Sequence, residues 1–317
     1  MARYLFFDAS RKTYDQVTGV FDFLWPTAAA MWNLRWQVDG YLRIRNDATV
    51  TELENRFVAG SGIHGANIRR ACSELTWEQQ QGEFAKFLLV TIFALYESWL
   101  KMVLEDIEMW SRQVEKQLQF PTSVQSGKRM GVWEAVDVVT AQESPMLKDA
   151  FYTALLAHRK NARPYLDNLM KCYRYFKEAR NCLIHNGGVA NAKAEEVYRD
   201  FVAIATPGDL GIADPPQHFP ITAGAPITMS LHGIVGFCDV ILRLIATLDA
   251  ELSRSAGAEK VFHRYWVGVN NKKYILKTGD PAKRKRQIER LVSKLGLPEP
   301  ATTDAIEQYL LAHRLAR

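Results

Sequence analysis

The chain has few cysteines, and their spacing matches no metal site. Its four cysteines, Cys72, Cys172, Cys182 and Cys238, form no C-x-x-C pair and no zinc-ligand spacing within 317 residues. Disulfide frameworks and zinc sites are both recognised by such spacing, so the sequence indicates reduced thiols in a cytoplasmic protein. The sequence also lacks a Walker loop and an H-E-x-x-H motif. We therefore expect neither a metal nor a cofactor.

Long uncharged apolar runs are missing as well. The two most apolar stretches, residues 87–104 and 234–248, each contain one acidic and one basic residue. A membrane-spanning helix needs about 20 predominantly apolar residues, so both stretches are interpreted as core helices. The first eight residues are too short in apolar side chains for a signal peptide. The sequence thus predicts no membrane partner.

Basic charge is concentrated near the end of the chain. The formal net charge is +5, but residues 260–294 alone contain eleven Lys and Arg against two acidic residues. Clustered cations with interleaved aromatic residues are typical of nucleic-acid contacts, although a charge run is more often a solvated face. The RNA-binding candidates here are Lys272, Lys273, Lys283, Arg284, Lys285 and Arg286, with Phe262, Tyr265, Trp266 and Tyr274 as stacking residues or a small core.

Helical spacing of apolar residues dominates the chain and predicts an all-α fold. Pro26 is interpreted as the start of a first helix. Thr76 and Gln79 form a capping-box pattern that begins a long helix to about residue 119. We expect a helical extension over residues 1–75, an up-and-down bundle over 76–256 and a basic subdomain over 257–317.

Two short segments have other predicted structures. Tyr265–Val269 and Lys273–Leu276 flank Asn270-Asn271-Lys272 and indicate a small β-hairpin in the basic subdomain. Gly60-Ser61-Gly62-Ile63-His64-Gly65 matches the dinucleotide motif G-x-G-x-x-G literally. That motif requires a preceding strand, whereas residues 52–57 have a helical pattern, so the segment is interpreted as a loop.

The most informative segment is Arg180-Asn181-Cys182-Leu183-Ile184-His185, followed by Asn186, Gly187 and Gly188. It lies at the end of a predicted helix that begins at Pro164. Arginine holds phosphate with a rigid fork of donors, and histidine transfers protons near neutral pH. None of the other six histidines has an arginine five residues before it.

This R-N-x-x-x-H segment resembles the signature of the HEPN superfamily, an arginine followed after four to six residues by a histidine. Many members of that superfamily are metal-independent endoribonucleases of toxin–antitoxin, abortive-infection and CRISPR systems. The resemblance implies a helical bundle over roughly residues 80–250 and a toxin or antiviral role. It also implies a homodimer with a composite site, and a separate antitoxin or sensor protein.

Metal-free RNA cleavage needs a base, an acid and a cation that stabilises the phosphate. His185 is the candidate acid or base, Arg180 the phosphate ligand, and Asn181 a residue that orients the histidine or contacts phosphate. On an ideal helix Arg180 and His185 lie roughly 140° apart, so a single helix does not aim both at one atom. Two helices facing each other in a dimer would overcome this separation.

Three further candidates lie near this segment. Glu97 is an expected acidic member of the site if it is buried and paired with Arg180, or a simple helix ion pair with Lys101. Lys177 and Arg174 are candidate RNA contacts or members of a solvated face.

The rival hypotheses are a HEPN-like module that binds RNA or a nucleotide without cutting it, and an interaction subunit of a defence complex. In the second rival His185 only caps its helix.

Overall fold

Residues 4–269, 275–276 and 280–316 are described by a computed structural model. Within these ranges the chain forms one two-stranded hairpin and fourteen α-helices, which confirms the predicted all-α class. The elements are α1 Asp8–Ile44, α2 Val50–Phe57, α3 Trp77–Asp106, α4 Arg112–Gln117, β1 Ser123–Gln125, β2 Lys128–Met130, α5 Val132–Val139, α6 Pro145–Leu147, α7 Thr153–Leu156, α8 Leu166–His185, α9 Ala192–Val202, α10 Pro207–Leu210, α11 Leu231–Leu252, α12 Ala256–Val269, α13 Pro281–Lys294 and α14 Asp304–Ala312.

Two apolar helices organise the core. α3 and α11 pack against each other, and each also packs against α1 and α8. By length and composition either helix is able to span a membrane, but half of the apolar window of α3 and 72% of that of α11 are buried inside the fold. Their packing confirms the prediction that both are core helices.

The first helix begins much earlier than predicted. α1 starts at Asp8 and continues through the exposed Pro26, so the prediction of a helix start at Pro26 is wrong. The preceding turns are held by burial, since Val17 and Leu24 lie in the core. Trp99 of α3 also donates a hydrogen bond from Nε1 to Ser10 Oγ at 2.8 Å. These contacts outweigh the loss of one backbone bond at proline.

The predicted helix over residues 76–119 is interrupted. Its start is confirmed, because the Thr76 side chain and Gln79 form a reciprocal capping box. The helix ends at Asp106, and Glu108 takes a left-handed conformation with φ 60°. Ser111 then caps the short helix α4 by accepting a hydrogen bond from the Val114 amide. The chain therefore turns before α4 and does not continue straight to residue 119.

The predicted hairpin of the basic subdomain is wrong in its first arm. Tyr265–Val269 is the last part of α12, not a strand. Phe262 and Trp266 lie one helical turn apart, and both are buried in the core. The pattern of large apolar residues therefore reflects helix packing. The hairpin turn and the first half of its second arm, residues 270–274, lie outside the described residues.

Side chains from all three predicted segments share one core. Phe6 and Val17 of the first segment, Ile241 of the second and Leu291 of the third belong to the same buried cluster. A small second cluster lies around Val38, with Leu53 and Cys72 among its members. The boundaries near residues 75 and 257 stay predictions.

A buried carboxylate anchors the start of the chain. Asp249 of α11 is fully buried and accepts hydrogen bonds from the amides of Phe6 at 2.6 Å and Phe7 at 3.1 Å. These amides precede α1, so Asp249 satisfies donors that the helix leaves unpaired. Burial raises the pKa of Asp249 from 3.8 to about 6, although hydrogen bonds from Ser10, Phe6 and Phe7 act in the opposite direction.

We expect the stability of the fold to depend on pH through Asp249. Because its pKa is higher in the folded than in the unfolded chain, its contribution is complete below about pH 4 and is lost as the pH rises through about 6. Thermal unfolding of the wild type and Asp249→Asn at pH 4 and pH 7 measures this contribution of Asp249 to the free energy of unfolding. The stability difference between them should be larger at pH 4, by up to about 3 kcal/mol. An equal difference at both pH values would contradict this assignment.

Candidate functional site

α8 places the R-N-x-x-x-H segment at its end. The helix that was predicted to begin at Pro164 begins at Leu166, after a short 3-10 turn over Arg163–Tyr165, and it stops at the glycines after His185 as predicted. Gly187 and Gly188 have φ values of +60° and +82°, and the Gly188 amide donates to the Cys182 carbonyl at 3.0 Å. Glycine adopts this left-handed conformation readily, which explains the stop.

The helix remains regular through the segment. The Asn186 amide donates to the Cys182 carbonyl at 3.0 Å, the ordinary spacing of four residues. No distortion therefore reduces the angle of roughly 140° between Arg180 and His185. Within one chain the two side chains do not converge on the same atom.

His185 is an exposed side chain. Among the described residues it has no hydrogen-bond or ion-pair partner, and its imidazole bonds to none of the last carbonyls of α8. The hypothesis that His185 is a helix cap therefore has no hydrogen bond to support it. Both ring nitrogens are open to a substrate.

Arg180 is partly buried beside Asn181. Its Nη1 donates to Asn181 Oδ1 at 3.2 Å. Its Nε is buried and has no hydrogen-bond partner among the described residues. A buried donor without a partner costs free energy, so this nitrogen is a donor in need of an acceptor.

A basic cleft of about 520 Å³ lies between α8 and the segment around α4. Asn181, Lys177 and Arg174 line it, so the structure brings together three of the residues selected from sequence. Arg180 and His185 do not line this cleft. Asn181 and His185 are four residues apart, so His185 lies one turn beyond the cleft on the same side of α8.

A buried ion pair forms the floor of the cleft. Arg174 and Glu178 are 6% and 5% exposed and are paired one turn apart on α8. The Arg174 guanidinium also lies over the Phe120 ring, 4.0 Å from its centroid. Burial lowers the pKa of Arg174 below its ordinary value, although Glu178 acts to raise it.

Glu178 connects the floor to its neighbours. Its carboxylate lies 3.4 Å from Lys193 Nζ on α9 and accepts a hydrogen bond from Asn181 Nδ2, also at 3.4 Å. One buried carboxylate therefore holds Arg174, Lys193 and Asn181 in place.

Glu97 pairs with neither partner that was considered from sequence. It forms an ion pair with Lys177 across the α3–α8 interface, with Lys177 Nζ 2.9 Å from Glu97 Oε1. Lys101 instead lies 3.7 Å from Glu105. The packing of α3 against α8, which sequence spacing does not encode, decides this pairing. Glu97 thus positions a cleft lysine and does not contact Arg180.

The cations of α13 divide into two groups. Arg284 pairs with Glu307 of α14 at 3.2 Å, and Lys285 with Glu289 at 3.9 Å. Lys283 pairs with Asp280 at 3.1 Å. The exposed residues Arg286, Arg290 and Lys294 have no ion-pair partner among the described residues. Free cations thus follow the outer face of the helix, opposite the buried Ile288 and Leu291.

The aromatic residues of the basic subdomain belong mainly to the core. Phe262 and Trp266 are buried, and the Tyr265 hydroxyl accepts a hydrogen bond from the Asp8 amide at 2.8 Å. Lys272 and Lys273 lie outside the described residues, as does Tyr274.

Several cleft residues were missed from sequence. Trp110, Arg112 and Lys116 from the α4 segment line the cleft, as does Lys193. The spacing of Arg112 and Lys116 places both on one face of a helix that starts at Ser111. The same spacing holds in the continuous helix that was predicted there, but the break at Glu108 that brings α4 to the cleft was not predicted.

Comparison with family models, with curated proteins and with solved structures gave no match. The resemblance to the HEPN superfamily therefore depends on the R-N-x-x-x-H segment and its place at a helix end. Among the described residues, no group of three His, Cys, Asp or Glu side chains is placed to hold a metal ion.

We expect Glu178 to be more important for stability than an exposed carboxylate. Glu178→Gln leaves Arg174 buried without its counter-charge and should cost about 3–5 kcal/mol in the free energy of unfolding. Glu83→Gln, which breaks an exposed pair with Lys86, is the control and should cost less than about 1 kcal/mol. Urea unfolding measures both. Similar costs for the two variants would show that Arg174 is not held by Glu178.

Proposed function

We propose that the protein is a metal-independent endoribonuclease of HEPN type that acts as a toxin or antiviral effector in the cytoplasm. The observation that carries the proposal is the position of His185. It is exposed and open at the end of α8, one turn beyond Asn181, which lines a basic cleft. A proton-transfer group beside a phosphate-attracting surface is what metal-free RNA cleavage requires.

His185 transfers the proton, either from the attacking 2′-hydroxyl or to the leaving 5′-oxygen. The 2′-oxygen attacks phosphorus, the bond from phosphorus to the 5′-oxygen breaks, and a 2′,3′-cyclic phosphate remains. Arg180 binds the phosphate through its guanidinium and stabilises the added charge. Asn181 holds the Arg180 guanidinium through the bond at 3.2 Å.

The proposal requires a second copy of the chain. Because α8 is regular, Arg180 and His185 of one chain point in different directions. A two-fold axis close to the end of α8 would place Arg180 of one protomer beside His185 of the other. We therefore propose a homodimer, held inactive by a separate antitoxin or sensor protein.

The second candidate is a module that binds RNA without cutting it. It is favoured because the cations are concentrated in a cleft that neither Arg180 nor His185 lines. A helical interaction subunit is the third candidate, and no feature of the site favours it.

Cleavage of labelled RNA in EDTA tests the proposal. We expect the wild type to leave 2′,3′-cyclic phosphate ends, and Arg180→Ala and His185→Ala to cut about 100- to 10,000-fold more slowly. The controls are Arg199→Ala and His232→Ala, which change an exposed arginine on α9 and an exposed histidine on α11. Both should cut like the wild type.

The variants also separate the alternatives. RNA binding without cutting by the wild type, with binding unchanged in His185→Ala, would favour the binding module. Equal cutting by the wild type and all variants would exclude Arg180 and His185 from the chemistry.

The free cations of α13 generate a further prediction. If Arg290 and Lys294 contact RNA phosphates, Arg290→Gln/Lys294→Gln should lower the slope of log affinity against log salt by about 0.7 per lost contact with a single strand. Arg284→Gln/Lys285→Gln removes equal charge from residues that are already paired and should change the slope less. Filter binding between 50 and 200 mM salt measures the slopes. Equal changes in both double variants would show that only net charge matters.

A further inference from the structure

We infer that the cleft between α8 and the α4 segment binds one nucleotide of single-stranded RNA next to the cleavage position, an inference that rests on the proposed function. It assigns a substrate class and a binding site to residues on the α4 segment, Trp110, Arg112 and Lys116. Three features carry it: the charge of the cleft, its aromatic rim and its distance from His185.

The charge of the cleft fits a phosphate. Five cationic side chains line it, against Glu115 and Glu178 as acidic ones: Arg112, Lys116, Arg174, Lys177 and Lys193. Arg174, Lys177 and Lys193 are paired with carboxylates, whereas Arg112 and Lys116 are exposed and have no ion-pair partner among the described residues. The two free cations lie one turn apart on α4, so a phosphate can bind between them.

The aromatic rim fits a base. Trp110 is 47% exposed at the cleft, and its Nε1 donates to Glu115 Oε2 at 2.8 Å, which fixes the ring against α4. An exposed, fixed indole is a stacking platform for an unpaired base. The volume of about 520 Å³ lies within the range of small-ligand sites. A peptide ligand explains the cations of the cleft only if it is acidic.

The distance from His185 connects the nucleotide to cleavage. Asn181 lines the cleft, and His185 follows it by four residues, which is about 6 Å along the helix. A strand with one nucleotide in the cleft therefore brings a neighbouring phosphate to His185. Double-stranded RNA does not offer an unstacked base to Trp110, so the cleft selects single strands.

Binding of a fluorescent single-stranded RNA octamer in EDTA tests this inference. The His185→Ala chain is used so that the RNA stays intact. Trp110→Ala should weaken binding about 5- to 100-fold, whereas Trp110→Phe keeps an aromatic ring and should bind nearly as well as the parent. Arg112→Gln/Lys116→Gln should weaken binding roughly tenfold. The control Arg43→Gln/Arg199→Gln removes two exposed cations elsewhere and should leave affinity within about twofold.

Competitors distinguish the possible ligands. Unlabelled single-stranded RNA should displace the octamer at far lower concentration than AMP, inorganic phosphate or duplex RNA. Displacement by AMP as effective as by RNA would overturn the inference and assign the cleft to a free nucleotide. Equal displacement by phosphate and AMP would exclude the stacking role of Trp110.

Failure of this inference is distinguishable from failure of the proposed function. Suppose that cleavage depends on His185 but is unaffected by the Trp110 and Arg112/Lys116 substitutions. This result would overturn the inference about the cleft and leave the proposed nuclease function standing. Suppose instead that RNA binding depends on these residues but the chain never cuts RNA. This result would support the nucleotide site in the cleft and overturn the proposed nuclease function.

Discussion

The buried pair of Arg174 and Glu178 is the interaction on which the site depends. Two charges that are almost fully buried are tolerated only if they are paired, and the Arg174 guanidinium also packs over the Phe120 ring beside the cleft. Glu178 also holds Lys193 and Asn181, while Glu97 of α3 holds Lys177. Three of the five cations of the cleft are thus arranged by carboxylates, the buried Glu178 and the partly buried Glu97.

The regular geometry of α8 orients the residues of the R-N-x-x-x-H segment in different directions. A straight helix places Asn181 and His185 on the cleft side and turns Arg180 away from it. The regular helix therefore places His185 on the side of the cleft but keeps Arg180 and His185 of one chain from reaching the same phosphate. Dimerisation is a consequence of this geometry if RNA is cut here.

The sequence predicted what local pattern controls. The capping box of Thr76 and Gln79 marks the start of α3, and the glycines after His185 mark the end of α8. It did not predict the break at Glu108, because a left-handed non-glycine residue has no sequence signal here. It also did not predict that Glu97 meets Lys177, since contacts between helices depend on packing. The cleft was missed because its position depends on the break at Glu108 and on the packing between helices.

Mixing two inactive variants tests whether one site is shared between two chains. Arg180→Ala and His185→Ala chains are unfolded together and refolded at equal concentration, and cleavage of labelled RNA is measured in EDTA. If Arg180 of one protomer acts with His185 of the other, half of the dimers are mixed and each regains one intact site. The cleavage activity of the refolded mixture should then recover to about a quarter of the wild-type activity. Mixed dimers that form but remain inactive would contradict a site shared between two chains.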